Sequence, residues 1–246
     1  MKFRTLALGL FAAAGITSAA SAQNLVTNPS FENGFSGWIN FNNAYVEPVH
    51  PRTGALGAKF FGNFWGTFNV SGCFQEFPAS AGETFRASAY WYNQLQDPNA
   101  QFNDQMQADN FAVLNLEYRD NIGELISFDS TRALDASSPT DTWIQAVTQG
   151  TAPAGTAFVR VVLLFLQPGE GTFIGGAAWA DDVTFRRLNP NCVADFDGSG
   201  FVDSDDFVAF VNMFSAGDET SDVDGSGFVD SDDFVFYVSA FEVGCN

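Results

Sequence analysis

Between positions 23 and 188 the chain alternates short apolar runs with turn-rich stretches, and its apolar residues almost never recur at helical spacing. In the run from Ala112 to Tyr118 one face is apolar, while Asn115 and Glu117 punctuate the other face. This alternation is typical of a half-buried strand, and many short strands separated by turns favour an all-β sandwich. The predicted strands are Tyr45–Val49, Ala58–Phe61, Thr67–Val70, Phe85–Tyr92, Phe111–Tyr118, Leu125–Phe128, Trp143–Thr148, Phe158–Leu166 and Trp179–Phe185.

Helical spacing begins only after position 191. Phe207, Phe210, Val211 and Phe214 fall at i, i+3, i+4 and i+7, which places them on one face of a helix. The same spacing returns in Phe234, Tyr237, Val238 and Phe241. The sequence therefore predicts a mainly β protein in which a β-sandwich precedes a small α-helical module.

Composition divides the chain further. The first residues contain Lys2 and Arg4, an apolar run and the small-x-small pattern Ala20-Ser21-Ala22, which is typical of a secretory signal cleaved after Ala22. The apolar run is shorter than the about 20 residues that a membrane span needs. We therefore expect an exported protein without a membrane span, organised as a signal peptide at 1–22, the sandwich at 23–188, a linker at 189–191 and the helical module at 192–246.

Each predicted helix follows a copy of one acidic loop. The first copy, D-F-D-G-S-G-F-V-D-S-D-D-F-V, begins at Asp195, and the second, D-V-D-G-S-G-F-V-D-S-D-D-F-V, begins at Asp222. Acidic or hydroxyl side chains stand at loop positions one, three, five, nine and twelve, with glycine at six, which is the ligand order of an EF-hand calcium loop. The predicted sites are Asp195, Asp197, Ser199, the Phe201 carbonyl, Asp203 (through a water) and Asp206, and then Asp222, Asp224, Ser226, the Phe228 carbonyl, Asp230 and Asp233.

Charge supports a cation in this module. Of the 29 acidic residues, 13 lie after Pro190, where the chain has no Lys or Arg. Such a density would repel itself unless divalent cations neutralised it. With a net charge of −19, nucleic acid and anionic membrane surfaces are excluded as expected partners.

Neither loop has room for an entering helix before it, so the module consists of two loop-then-helix halves. Such a pair resembles a dockerin, the module by which bacterial polysaccharide-degrading proteins bind cohesins. The resemblance implies a cohesin-like partner, and its partner-selecting pairs match Ser204–Asp205 and Ser231–Asp232. Because these pairs are identical, they would allow a symmetric, two-way binding mode. The helices lack the Lys or Arg that usually accompanies cohesin docking. The alternative is therefore a terminal module that is stabilised by calcium and binds no partner.

The three cysteines suit an oxidising compartment. Cys192 and Cys245 bracket the helical module at its two ends, so we expect a disulfide between them. Cys73 is then left over inside an apolar stretch. We interpret it as a buried, unreactive thiol, with a reactive thiol as the alternative.

Four stretches of the sandwich resemble jelly-roll carbohydrate-binding modules of the galactose-binding-like kind. They are Asn24–Trp38, Cys73–Trp91, Trp143–Leu163 and Trp179–Phe185. In that family the opening F-E and the closing Asp commonly share a structural calcium, which implies a third site at Glu32 and Asp181, with Asp182 as an alternative for Asp181. Two solvated carboxylates at strand ends are the competing interpretation.

Sugar binding needs aromatic faces that stack on the rings and polar side chains that bond the hydroxyls. The longest polar loop, Asn93–Asn110, is dense in Asn, Gln and Asp, and its length hints at function. We therefore take Trp65, Trp91 and Tyr92 as candidate glycan contacts. The alternative for each is core packing, because aromatic residues in a sandwich are usually core.

Nothing in the sequence indicates catalysis. The single histidine, His50, stands between Pro48 and Pro51 with no Ser or Cys motif that suggests a triad. The acids of the sandwich are scattered and lack the E-x-D-x-E alternation of sandwich glycosidases. We therefore predict a secreted, non-catalytic calcium- and carbohydrate-binding protein. A structural extracellular or cell-surface protein without a sugar ligand and a small β-sandwich glycoside hydrolase are the alternatives.

Overall fold

A computed structural model describes residues 24–63, 67–99, 103–169, 175–188 and 192–244. Their contacts divide the chain into two compact units, which are the described parts of Gln23–Pro190 and of Asn191–Asn246. The predicted signal peptide and linker lie outside the described residues. Within the described part of the chain, no helix is both long and apolar enough to cross a membrane.

The first unit is a sandwich of two five-stranded antiparallel sheets. One sheet, with the order β1-β4-β9-β6-β7, contains β1 (Ile39–Phe41), β4 (Asn69–Pro78), β6 (Phe111–Arg119), β7 (Leu125–Asp135) and β9 (Phe158–Gln167). The other, with the order β2-β3-β10-β5-β8, contains β2 (Ala44–Glu47), β3 (Gly57–Phe61), β5 (Thr84–Tyr92), β8 (Trp143–Thr151) and β10 (Ala177–Leu188). The predicted fold class, a jelly-roll β-sandwich followed by a small helical module, is confirmed.

Alternating side chains from the two sheets form the core between them. Leu114 and Leu116 of β6 meet Phe165 of β9 there, and from the opposite sheet Trp91 and Phe185 enter the same cluster. All five side chains are fully buried. Because side chains alternate across each strand, the neighbours of these residues stand on the outer faces.

The strand bounds differ from the predicted ones throughout, and β1 has no predicted counterpart; three of the differences have a clear physical cause. The strand predicted at Thr67–Val70 is β4, which runs ten residues from Asn69 because it pairs with β9 over its full length. The strand predicted at Leu125–Phe128 continues to Asp135, since its polar second half lies at the sheet edge. The strand predicted at Tyr45–Val49 ends at Glu47, because Pro48 has no N–H to donate.

The second unit contains the two predicted helices. Helix α1 spans Ser204–Ala216 and helix α2 spans Ser231–Val243, with a 3₁₀ turn at Glu219–Ser221 between them. Each helix begins with a capping box in which an aspartate and the aspartate three residues later accept each other's backbone N–H. These pairs are Asp203 with Asp206, and Asp230 with Asp233.

The interior of this unit is aromatic and nearly two-fold symmetric. Phe210 and Tyr237, 27 positions apart as the two loops are, are fully buried and stack with their ring centroids 3.9 Å apart. Phe210 also lies 6.1 Å from Phe234, and Tyr237 lies 6.4 Å from Phe207, which is the same contact made from the other half. Each half therefore buries its apolar helix face against the other half.

Candidate calcium loops and an aromatic sheet face

The first acidic loop brings three of its predicted ligands together. Carboxylate oxygens of Asp195, Asp197 and Asp206 all lie within 4.8 Å of one another. The buried Asp206 accepts from the backbone N–H of Asp197 at 3.0 Å and from that of Asp203 at 2.9 Å. Asp195 accepts from the N–H of Gly200 at 2.9 Å. The loop's own backbone donors therefore hold the three carboxylates beside one another.

Two of the remaining predicted ligands lie side by side on the same loop. The Ser199 hydroxyl lies 3.4 Å from the carbonyl oxygen of Phe201. Asp203 has a different task, because its carboxylate accepts from the N–H of Asp205 at 2.8 Å and caps helix α1. Its predicted contact to calcium through a water stays a prediction.

The second loop repeats this arrangement. Oxygens of Asp222, Asp224 and Asp233 lie within 4.8 Å of one another. Asp233 accepts from the N–H of Asp224 at 3.2 Å and from that of Asp230 at 2.9 Å. Three further residues occupy the same places as in the first loop: Ser226, Phe228 and Asp230.

The two loops differ in how much protein covers them. Phe201 in the first loop is half-buried, whereas its equivalent in the second, Phe228, is 73% exposed, and Val202 is 1% exposed whereas its equivalent Val229 is only half-buried. Burial, together with the charge of Asp197, raises the pKa of Asp206 to about 6. Asp233 is buried as well, but the hydrogen bond from the Asp230 backbone lowers its pKa.

The residues of both loops fit a hard divalent cation. Carboxylates, a hydroxyl and a carbonyl are oxygen donors, which Ca²⁺ binds at about 2.3–2.6 Å in sets of six to eight. The sharp turn that brings them together needs Gly200 and Gly227, whose φ angles of 83° and 86° lie in the left-handed region. No Lys or Arg follows Arg187, so no cationic side chain of this unit competes for the carboxylates.

The predicted partner-binding pairs are accessible. Ser204 and Asp205 are the first two residues of α1, and Ser231 and Asp232 are the first two of α2. All four are exposed. The two pairs therefore present the same chemistry from the equivalent start of each helix.

In the sandwich, Glu32 and Asp181 hold one loop from two sides. The buried Asp181 accepts from the N–H of Arg52 at 2.7 Å and from that of Thr53 at 3.1 Å, and Glu32 accepts from the N–H of Leu56 at 2.9 Å. Asp182, the alternative ligand, forms an ion pair with Arg52. The carboxylates thus receive donors from the protein itself, and a calcium at this place stays a prediction.

A row of five large side chains lies on the side of the second sheet that faces away from the core, and its central member, Trp179, is fully buried there. The register pairs β2 with β3, β3 with β10, β10 with β5 and β5 with β8 at successive members of the row, which are Tyr45, Lys59, Trp179, Tyr92 and Trp143. Directly paired residues share a face, and their chain neighbours Ala58, Trp91 and Ala180 point into the core. At about 4.8 Å per strand, the row is about 19 Å long.

Polar groups border this aromatic row. The indole N–H of Trp179 donates to Glu47 at 2.8 Å, and the Tyr92 hydroxyl donates to Asp141 at 2.9 Å. Burial and this hydrogen bond raise the pKa of Tyr92 to about 12, so the hydroxyl remains a donor. Two residues of the long polar loop also reach the row, since Asp104 binds Lys59 at 2.8 Å and Gln94 binds the His50 ring at 3.0 Å.

The three predicted glycan contacts have different outcomes. Trp65 lies outside the described residues. Trp91 is 0% exposed in the core, so the prediction that it contacts a glycan is wrong: the pleat of β5 turns Trp91 inward and its neighbour outward. That neighbour, Tyr92, lies in the row as a half-buried ring and stays a candidate.

Sequence reasoning missed most of the row. Trp143 is not among the predicted glycan contacts, yet it stands on the outer face with its ring 5.3 Å from that of Tyr92. His50, which reads as an isolated turn residue, packs its ring 4.5 Å from that of Tyr92 and 4.8 Å from that of Trp179. The detectable signal is the alternation A-W-A-D around Trp179, in which the small residues face the core.

The cysteines follow the expected pattern where they are described. Cys73 is a free thiol in the core, and burial raises its pKa well above the ordinary value, as expected of an unreactive thiol. Cys192 is disulfide-bonded. Its predicted partner, Cys245, lies outside the described residues, so that pairing stays a prediction.

No protein-family model matches the chain, and no curated protein matches it. Solved structures do. A family 16 carbohydrate-binding module is 17% identical, with a TM-score of 0.45 over 66% of this chain and 99% of the module. The CBM22-1 xylan-binding domain of Paenibacillus barcinonensis Xyn10C is 16% identical, with a TM-score of 0.43 over 69% of this chain and 97% of the domain.

A third match is the enzymatically active domain of a bacteriophage CBA120 tailspike protein, which is 11% identical with a TM-score of 0.46. The match covers 67% of this chain but only 21% of the tailspike domain. At these identities and scores, the three matches show only a general similarity of fold.

Proposed function

We propose that this chain is a secreted, non-catalytic protein that binds calcium in its helical unit. The observation that carries the proposal is the duplicated triad: in each loop three carboxylates lie within 4.8 Å of one another without a cationic side chain in the unit to offset them. Three like charges this close repel one another, so the folded loops favour a divalent cation. Calcium bound only by the folded state then stabilises the unit by mass action.

Calorimetric titration of the mature chain with calcium tests this proposal. We expect two sites, with Asp206→Asn removing the first and Asp233→Asn removing the second. Asp205→Asn, a neighbouring exposed carboxylate outside the triads, is the matched control and should leave both sites. Calcium that persists in the double Asp206→Asn, Asp233→Asn variant would place a third ion in the sandwich, and Glu32→Gln with Asp181→Asn should then remove it. No uptake by the unaltered chain would refute the proposal.

A second function, glycan binding by the sandwich, is favoured by the aromatic row. Aromatic faces cover the apolar faces of sugar rings, and the bordering carboxylate and amide groups can accept or donate to hydroxyls. Tyr45, 52% exposed at one end of the row, and the half-buried Trp143 at the other offer the accessible ring surface. A glycan chain lying across the strands would contact these two ends and not the central Trp179, which is fully buried.

Retention on immobilised polysaccharides tests glycan binding. Trp143→Ala and Tyr45→Ala should each weaken binding about tenfold, equivalent to about 1.4 kcal/mol. Phe128→Ala is the matched control, because this ring is 56% exposed on the other sheet. Equal binding by all variants would refute the role of the row. If the protein binds no glycan but self-associates, it is a structural extracellular protein, and release of reducing sugars would identify a glycoside hydrolase.

We further propose that the exposed pairs at the helix starts dock a cohesin-like partner in an extracellular assembly. Because the pairs are equivalent, Asp205→Lys or Asp232→Lys alone should leave binding through the other half, while the double variant should lose it. Binding that survives in the double variant would refute this use of the pairs. Export is tested separately by the amino terminus of the secreted protein, which should begin at Gln23.

A further inference from the structure

The two calcium loops are supported unequally by the rest of their unit. The second loop is preceded by the 3₁₀ turn, which fixes its start locally: the Ser221 hydroxyl donates to the carbonyl of Asp218 at 2.6 Å, and Asp218 accepts from the N–H of Thr220 at 2.9 Å. At the first loop, Ala194 stands where Ser221 stands in the second, and alanine has no hydroxyl. Both loops share a backbone turn bond at their start, from the N–H of Asp195 to the carbonyl of Cys192 at 3.2 Å and from the N–H of Asp222 to the carbonyl of Glu219 at 3.1 Å. The start of the first loop differs by the missing serine hydroxyl.

At the first loop, a hydroxyl bond comes from the other half of the unit. The hydroxyl of Tyr237 on α2 donates to the carbonyl oxygen of Ala194 at 3.4 Å, in a contact where both residues are at most 1% exposed. Ala194 directly precedes Asp195, the first carboxylate of the loop. Burial and the charges of Asp206, Asp197 and Asp195 raise the pKa of Tyr237, so its hydroxyl stays protonated and donates.

The unit is nearly symmetric, but only one of its two halves can form this bond. Phe210 occupies the position in α1 that Tyr237 occupies in α2, and the two rings stack 3.9 Å apart. Phenylalanine has no hydroxyl to reach the second loop. The stack fixes the ring of Tyr237, and the Phe196 ring, 5.9 Å away on the first loop, packs against its edge.

From this asymmetry we infer that Tyr237 is a positioning residue for the first calcium site, supplied by the helix that follows the second site. It holds the Ala194–Asp195 backbone so that the Asp195 carboxylate faces Asp197 and Asp206, and it has no counterpart at the second site. This inference rests on the proposed calcium function. It adds that one hydroxyl distinguishes two sites whose loop sequences differ only at Phe196 and Val223.

Tyr237→Phe tests the inference, because it keeps the stacked ring and removes only the hydroxyl. The full mature chain is titrated with calcium in two single-site backgrounds, Asp233→Asn for the first site and Asp206→Asn for the second. We expect Tyr237→Phe to weaken the first site about threefold, the effect of one modest neutral hydrogen bond, and to leave the second unchanged. Tyr45→Phe, which removes an exposed hydroxyl from the sandwich, is the matched control.

Each result decides the matter. A loss confined to the first site supports the positioning role. Equal losses at both sites would mean general loosening of the unit and would overturn the inference, as would no loss at either. A melting curve without calcium checks that the variant folds. Failure of the unaltered chain to bind calcium would refute the proposed function instead, so the two failures are distinguishable.

Discussion

Replacing Phe210 by alanine should make folding of the helical unit depend on calcium. The Phe210 side chain is fully buried, stacks on Tyr237 at 3.9 Å and lies 5.4 Å from the ring of Phe196. Truncating such a ring costs about 3–5 kcal/mol. A unit of about 50 residues has a free energy of unfolding of only about 3–8 kcal/mol, at about 0.05–0.15 kcal/mol per residue. Without metal, the variant unit should be largely unfolded.

Excess calcium should restore the folding of the Phe210→Ala unit. Each site occupied at a hundredfold excess over its Kd adds about 2.7 kcal/mol, so two sites add about as much as the substitution removes. Scanning calorimetry of the full chain, in EGTA and in excess calcium, separates this transition from that of the sandwich. Val208→Ala on the same helix, where the side chain is 56% exposed, is the control and should change little. An unaltered helical transition for Phe210→Ala in EGTA would refute the packing argument.

Three further outcomes follow from the same geometry. The calcium affinity of the first site should fall as pH drops through about 6, because protons then compete with calcium for Asp206. The second site should keep its affinity to lower pH, because the pKa of Asp233 is lowered. Calcium titrations of the two single-site variants at pH 7 and pH 5 check this. Gly227→Ala should weaken only the second site, because φ is 86° at this position and alanine in the left-handed region costs about 1–2 kcal/mol, even though no atom would clash with its Cβ. An unchanged calcium affinity in calorimetry would contradict this. Trp91→Ala should destabilise the sandwich by about 3–5 kcal/mol and leave both calcium sites intact, as denaturant unfolding beside a calcium titration would reveal.

The calcium loops could be predicted closely because their chemistry is local. Ligand order, the turn glycine and the helix start all lie within one stretch of sequence, and the stretch occurs twice. What the sequence hides is the difference between the copies. The burial that raises the pKa of Asp206, and the reach of Tyr237 to Ala194, depend on how the two halves pack together.

The aromatic row shows the opposite case, because it is built from strands that are distant in sequence. Trp91 and Tyr92 are adjacent and equally aromatic, and only the strand register decides which one faces the core. Trp179 meets Tyr92 through a pairing that links residues almost 90 positions apart. One strand pattern can suggest two alternating faces, but it cannot say which residues of five strands line up.

The strand bounds were predicted wrongly for a related reason. β4 carries Ser71, Gly72 and Gln75, residues that weaken an apolar pattern, yet β9 pairs with it from Asn69 to Pro78. Ser71 and Gln75 are buried because each finds a partner, the carbonyl of Phe61 for the one and Thr27 for the other. A strand whose polar residues are satisfied by tertiary contacts reads as a loop until those contacts are known.

The shared aromatic interior also affects how the helical unit could be divided. Because the rings of α1 pack on the rings of α2, each loop-and-helix half has half of a core and completes it only with its mate. A cut between the halves, in the exposed stretch from Gly217 to Thr220, would break the chain without breaking that core. Two separately made fragments would then be expected to reassemble, with calcium as the ligand that drives their complementation.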